Sequence, residues 1–297
     1  MRLRQIEIFH AVYTTGSVTN AAKKLYVSQP SVSKVLAHAE QQLGFQLFSR
    51  IKGRLVPTKE ADLLFEEVNR IYSQLNNLKS TAENIKSVDV GNLEIAVTPA
   101  LGFDVIPSAC MAFKQQHTKL KFNIQTIHSH QLLNHLNRHQ SELAIMFASN
   151  KFSGINEIEI GKGNLVAVYC KNLIPKCPKF ISLKNLLKYP LLGIDDSGPL
   201  ADIVWREMIK NNLRPVSEFK VQTYFIAVNL IRKGAGVCIV DEFTARGQKS
   251  ENIGIAKLNG DFSFPIKALH LENKPLSRIA VAFIKQLKQQ LKKESKV

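Results

Sequence analysis

The chain is short of several things whose scarcity narrows its chemistry. It has four cysteines in 297 residues, Cys110, Cys170, Cys177 and Cys238, and no Cys-x-x-Cys pair. Neither a disulfide framework nor a thiolate zinc site is expected; the four are read as buried free thiols of a reducing compartment, with a Cys170–Cys177 redox pair as the alternative. No apolar run approaches the ~20 residues that a membrane-spanning helix needs. The opening stretch MRLRQIEIFHAVYTTG has helical periodicity but neither the apolar core nor the small-residue cleavage site of a signal peptide. A cytoplasmic location without a membrane partner is expected. There is no glycine-rich phosphate loop, nucleophile elbow or paired-carboxylate motif. An enzyme is therefore not expected, nor a resident cofactor.

Acidic residues are the other shortage: 24 Asp and Glu face 40 Lys and Arg, a net charge of +16. Such an excess invites a nucleic-acid partner. It does not say where, because residues 1–87 hold 12 basic and 7 acidic side chains and residues 88–297 hold 28 and 17. The two parts are almost equally basic per residue, so a motif must locate any DNA site. With 45% hydrophobic and 22% charged residues, the chain has the composition of a soluble globular protein of two or three domains.

The motif lies between Gly16 and Gly44, GSVTNAAKKLYVSQPSVSKVLAHAEQQLG. Ala21, Ala22 and Leu25 share one face of a short helix. Val32, Val35, Leu36, Ala39 and Leu43 recur at helical steps in a second. Between them Ser28 offers an N-cap hydroxyl and Pro30 sits in the first turn. The second helix then presents Ser28, Gln29, Pro30, Ser31, Ser33 and Lys34, small polar groups and one cation suited to base edges and phosphates. Ahead of it, Leu3, Ile6, Phe9, His10 and Tyr13 form one helical face. Behind it, FQLFSRIKGRLVPT reads as a two-stranded wing with Lys52-Gly53 near its tip and Arg50 and Arg54 on its flanks. A basic wing of this kind can enter an adjacent minor groove.

From Lys59 a long helix is expected. Leu64, Val68, Ile71, Leu75, Leu78, Ala82 and Ile85 step by four and three, a 3.5-residue repeat whose narrow seam wants a partner helix, most simply from a second copy. The polar KSVDVGN that follows reads as a hinge. From Leu93 onward strands alternate with helices: strands LEIAV, LKFNIQTI, LAIMF, LVAVYC, PLLGID, FKVQT and GVCIV, then KALHL, and a closing helix from about Ser277 to Lys293. This alternation predicts parallel sheets in two lobes, with any ligand beyond the carboxyl ends of strands.

Four histidines crowd together: His128, His130, His135 and His139. His135 and His139 stand four apart on an expected helix, the spacing of two metal ligands, so a metal-responsive regulator is an alternative reading. A solute-binding protein or enzyme on a two-lobed fold is a further one.

IEIFHAV, the Gly16–Gly44 stretch, QLFSR and GRLVPT together resemble the LysR-type transcriptional regulators, and the likeness runs through the linker helix and two-lobed domain. AVNLIRKGAGVCIVDEFTA resembles the subgroup that answers to diaminopimelate or opines, which are amino-acid derivatives. The resemblance implies an α/β chain in three parts: a winged helix-turn-helix at 1–58, a dimerising linker helix at 59–88 and a periplasmic-binding-protein-like effector domain at 89–297. Within the last, one lobe takes about 92–162 and 268–297, the other about 163–267. It implies double-stranded promoter DNA, a small-molecule effector, further copies of the chain (dimer and tetramer) and RNA polymerase as partners.

Carried onto this sequence, Gln29, Pro30, Ser33 and Lys34 become base-proximal, Ser28 and Ser31 phosphate donors, Arg54 a minor-groove side chain, and Arg50 and Thr58 backbone supports. Ala61 stands where the family usually has glycine. The effector cleft would be lined by Thr98, Pro99, Ala100 and Leu101, by His128 and Ser129, by Ala148 and Ser149, and by Gln222 and Thr223. Asp195, Asp196 and Glu242 are candidate acceptors for an effector amino group.

Overall fold

A computed structural model describes residues 1–86, 90–147, 151–194, 199–214, 217, 219–221 and 223–294. The chain divides into two compact units, Met1–Ala82 and Glu83–Val297.

The first unit is three helices, α1 (Leu3–Thr15), α2 (Val18–Lys24) and α3 (Gln29–Leu43), then a hairpin of β1 (Phe48–Ile51) and β2 (Arg54–Pro57), then the long α4 (Lys59–Lys86). Gly16 and Gly44 close α1 and α3 in the left-handed region, each returning its N–H to the preceding turn. Ile8, Phe9, Val12, Ala21, Val32, Leu36 and Leu47 make the core. The buried face of α1 is thus centred on Ile8, Phe9 and Val12, not on Leu3, which lies exposed at the helix start. The hairpin is anchored from α3, because Glu40 accepts the N–H groups of Leu47 (2.7 Å) and Phe48 (3.2 Å).

The opening of α4 differs from expectation in two ways. Thr58, expected at the DNA backbone, is the helix cap: its hydroxyl accepts the N–H of Ala61 (3.2 Å) and donates to the carbonyl of Gln46 (2.8 Å). Ala61 itself is fully buried, and a methyl there fills the head core where glycine would leave space. The 3.5-residue seam is also divided. Val68 is buried in the head, so it does not face a partner helix; Leu64 is partly buried beside it. His10 is stacked on Tyr72 (centroids 3.9 Å apart) and bonded to Asn69 (3.1 Å), and Tyr13 is stacked on Phe65 (3.7 Å), which seats α1 on α4. Farther along, Ile71 and Leu78 stand 40% and 66% exposed, and on the first turns Leu63 is exposed too. The side chain of Ile85 lies outside the described residues.

In the second unit, β3 (Val90–Val97) runs parallel to β4 (Lys119–Thr126) and β5 (Leu143–Phe147). β3 begins at Val90, inside the expected hinge. Leu93, Ile95 and Val97 join the larger core, where α5 (Val105–Gln116) meets the final helix, α11 (Arg278–Glu294), through Phe113 and Phe283. Ala96 points to the opposite face with Leu132 of α6 (Leu132–Asn137). A sheet covered on both faces explains why LAIMF is apolar throughout.

The expected all-parallel arrangement fails at the crossover. LVAVYC is only the second half of a sixteen-residue strand, β6 (Ile155–Cys170). Residues 155–164, with a bulge at Ile160, pair antiparallel with β12 (Ser263–Leu271), which itself lies antiparallel to β5. Its remaining residues pair antiparallel with β10 (Val237–Asp241) and β11 (Ile253–Leu258), which with β7 (Phe180–Ile181) complete the second lobe's main sheet. One strand therefore belongs to both lobes. Gly163 marks the passage: a Cβ there would lie 2.7 Å from the rings of both Phe243 and Phe264, so only a bare backbone passes. The expected strand PLLGID shrinks to β8 (Gly193–Ile194), paired with β9 (Lys220–Val221). The helices of this lobe are α7 (Leu183–Leu186), α8 (Pro199–Lys210), α9 (Tyr224–Arg232) and α10 (Glu242–Gly247).

Candidate functional sites

The first turn of α3 assembles the predicted DNA-reading residues on one exposed surface. Ser28 occupies the N-cap position, but its hydroxyl makes no cap bond. It pairs instead with the hydroxyl of Ser31 at 2.8 Å. Gln29 donates one amide N–H to the hydroxyl of Ser33 at 2.9 Å, which fixes the amide plane and leaves its oxygen and second N–H directed outward. Lys34 is exposed one turn on. In the wing, Lys52 and Gly53 adopt successive left-handed conformations (φ 49° and 79°), the two-residue turn that matches the twist of a tight hairpin. This places Ile51 opposite Arg54 and Arg50 opposite Leu55. Arg50, Lys52 and Arg54 are exposed, and among the described residues no ion pair engages them or Lys34. Four un-neutralised cations around a polar helix end suit a polyanion.

One residue of this surface escaped the sequence reading. Tyr26, in the turn between α2 and α3, has a left-handed backbone (φ 55°) and is 96% exposed. Only its bulk, at a position whose geometry favours glycine, could have drawn notice.

In the second unit the described cleft candidates each follow the carboxyl end of a parallel strand: Thr98 to Leu101 after β3, His128 and Ser129 after β4, and Thr223 after β9. Thr98 ends β3 and caps a short 3₁₀ helix over Pro99–Gly102 without a side-chain bond; its N–H donates to the carbonyl of Ile145 (3.0 Å). Ala100 and Leu101, expected to line the cleft, have their side chains in the core, so they can offer only backbone groups. His128 and Ser129 follow β4, whose Thr126 pairs with Val97. Thr223 caps α9 just after β9, again without a side-chain bond. Ala148, Ser149, Gln222, Asp195 and Asp196 lie outside the described residues. Glu242, proposed for an effector amino group, is already engaged: it accepts the backbone N–H of Asn164 (2.8 Å) and pairs with Arg246 (3.7 Å).

The helical spacing on which the metal reading leaned is not formed. α6 ends at Asn137, and His139 lies beyond it in the left-handed region (φ 54°), so the four-residue helical spacing with His135 does not exist. His135 is buried and bonded to the hydroxyl of Ser141 at 2.7 Å. Burial holds the pKa of both imidazoles below the ordinary histidine value. Among the described residues no group of three His, Cys, Asp or Glu could hold a metal ion. The cysteines depart from expectation at one position, since Cys177 is exposed while the other three are buried; burial pushes the Cys110 thiol up to about 12. No helix among the described residues is long and apolar enough to cross a membrane.

Asp241 is the one fully buried carboxylate of the described chain. It caps α10, accepting the N–H (2.8 Å) and hydroxyl (2.7 Å) of Thr244, yet burial outweighs these bonds and raises its pKa to about 6. The folded chain thus holds this proton where the unfolded chain has lost it. Stability from this group falls as pH rises from about 4 to about 6, then levels. Asp241→Asn, which keeps an acceptor for Thr244, should gain on the parent over that window by about 3 kcal/mol. Thermal melts of both chains at several pH values read this out; a parent-to-variant difference independent of pH would show that the carboxyl titrates normally.

Comparison with known proteins agrees with this arrangement. Residues 3–62 match the family described as "Bacterial regulatory helix-turn-helix protein, lysR family", and residues 86–292 match "LysR substrate binding domain". The chain is 50% identical over 287 residues to the HTH-type transcriptional regulator DgcR of Pseudoalteromonas sp, covering 97% of this chain and 99% of that protein. It is 27% identical over 249 residues to the octopine catabolism/uptake operon regulatory protein OccR of Rhizobium meliloti, covering 82% and 81%. Its fold is that of full-length CbnR in complex with target DNA (TM-score 0.74, 22% identity, covering 98% of this chain and 100% of that one). A helix-turn-helix head with a free cationic wing, followed by a two-lobed domain with polar strand ends, thus falls within one lineage of DNA-binding proteins rather than of enzymes: the chain belongs to the LysR-type transcriptional regulators.

Proposed function

We propose that two heads, joined through the exposed stretch of α4, read two half-sites of a promoter, and that the working form is a homotetramer. In each head Gln29 reads a base edge in the major groove. The observation that carries this is the Gln29–Ser33 bond: an amide held in plane, with one acceptor and one donor left over, matches the N6 and N7 edge of adenine. Pro30 and Ser33 lie against the bases, Ser28 and Ser31 donate to phosphates, and Lys34 contributes a point charge rather than a planar fork. Arg54 enters the neighbouring minor groove, with Arg50 on the backbone.

The effector is an amino acid or a derivative of one. Thr98 and Pro99, backbone groups of Ala100 and Leu101, His128 and Ser129, Ala148 and Ser149, and Gln222 and Thr223 line its cleft. Two observations support this class: the Thr98 hydroxyl, which makes no cap bond at the end of a parallel strand, suits a carboxylate, and the relative OccR is named for an operon of octopine, an amino-acid conjugate. Effector binding favours one arrangement of the lobes over another, and so changes the DNA bend and the contact with RNA polymerase. The cytoplasm is where such a protein works.

Paired variants test the reading on DNA from the gene's own upstream region. Gln29→Ala should lose preference for that duplex over random DNA by about tenfold while keeping salt-sensitive binding. Thr98→Ala should keep the preference and lose the rise in melting temperature that amino acids or opines give the parent chain. If Thr98→Ala abolished DNA binding, or Gln29→Ala kept full preference, the corresponding assignment would be wrong.

A further inference from the structure

Tyr26 is held in a conformation that its own chemistry does not favour. The turn after α2 closes with Val27 N–H donating to the carbonyl of Ala22 (3.0 Å) and Tyr26 N–H to that of Lys23 (3.2 Å), a helix end that requires a left-handed residue. Glycine or asparagine occupies such a position at little cost, whereas a larger side chain is strained there. At 96% exposure the ring recovers nothing by burial. Local folding therefore accounts for the turn and not for the tyrosine.

Position suggests what does. Ser28, two residues on, opens the recognition helix, and the exposed Lys23 and Lys24 end the helix before. In helix-turn-helix proteins the start of the second helix faces base edges while the first helix crosses the sugar–phosphate backbone, so the turn between them lies over a phosphate strand. We propose that Tyr26 is a DNA-backbone contact, its hydroxyl donating to a phosphate oxygen and its ring resting on the adjoining deoxyribose. The inference rests on the helix-turn-helix reading of the head. It makes Tyr26 a positioning residue that sets how α3 enters the groove.

A phosphate contact is independent of sequence, so a fluorescent duplex of about 30 base pairs of random sequence at low salt serves as the probe. The full chain is compared with Tyr26→Asn, Tyr26→Gly and Tyr26→Phe by anisotropy titration and thermal melting. Tyr26→Asn and Tyr26→Gly should melt at the parent's temperature or above it, yet bind five- to tenfold more weakly, while Tyr26→Phe should lose about threefold. The salt dependence should keep its slope, because tyrosine displaces no counterion. Parent-like binding by Tyr26→Asn would overturn the proposal. So would a lower melting temperature, which would make the ring structural, or a shallower salt slope, which would mean that it acts through Lys23 and Lys24. A parent chain that failed to bind the duplex at low salt would overturn the DNA reading of the head itself.

Discussion

Gly236→Ala should lower the thermal midpoint of the effector-binding domain by about 10 °C, roughly 3 kcal/mol for a domain of this size. Two penalties coincide there. The backbone sits at φ +127°, a region that an alanine Cβ opposes, and the added methyl would overlap the carbonyl oxygen of Pro190. That oxygen cannot retreat, because it accepts the N–H of Val237 at 2.8 Å where β10 enters the sheet. Gly234 is the built-in control. It also has a positive φ, of +94°, but has no atom within 4 Å of a built Cβ. Gly234→Ala should therefore cost only the backbone strain, about 1 kcal/mol. Equal losses from the two variants would mean that the close approach to Pro190 contributes nothing.

The second large effect is expected on assembly. Replacing Ile71 and Leu78 together by Asp should break the proposed α4 pairing, so that the assembly loses mass, and weaken binding to a two-half-site duplex by at least about 100-fold. Both side chains are exposed on α4, which a soluble helix tolerates best when a partner covers them, and each Leu or Ile covered contributes about 1.5–3 kcal/mol. Two carboxylates in such a seam would have to be desolvated. The larger loss on DNA arises because a second head held near its half-site binds at high effective concentration, an advantage that separated heads lack. Neither residue belongs to the head core, so helicity and head stability should be retained. A variant that kept the parent's assembly mass by light scattering would place the contact elsewhere, for example at the exposed Leu63.

Much of this molecule could be read from local pattern. The helix pair around Ser28, the hairpin turn at Lys52-Gly53 and the strands of the first lobe follow from periodicity and turn chemistry, which act within a few residues. The missed features share a different origin. The expected strand LVAVYC covers β6 only from Leu165 onward. In the structure Gly163 serves close approach to Phe243 and Phe264, which lie 80 and more positions away. The helical spacing of His135 and His139 broke because α6 stops at Asn137, two residues before the second imidazole.

The candidate sites divide in the same way. The sequence by itself carried the resemblance to the LysR-type regulators, put Gln29, Pro30, Ser31 and Lys34 on the outer side of their helix, and put Arg50 and Arg54 on the flanks of a hairpin. Amphipathic spacing and backbone dihedral preference suffice for the helix face and the hairpin. Only the tertiary structure decided which polar groups remain available: Thr58 is taken by Ala61 and Gln46, Glu242 by Asn164 and Arg246, and His135 by Ser141, whereas Tyr26 stands clear. It likewise decided that Val68 faces its own head and Leu78 faces outward. The physical reason is that periodicity says which side a residue lies on. What covers that side, and which hydrogen bonds are already made there, depends on chain segments that only folding brings together.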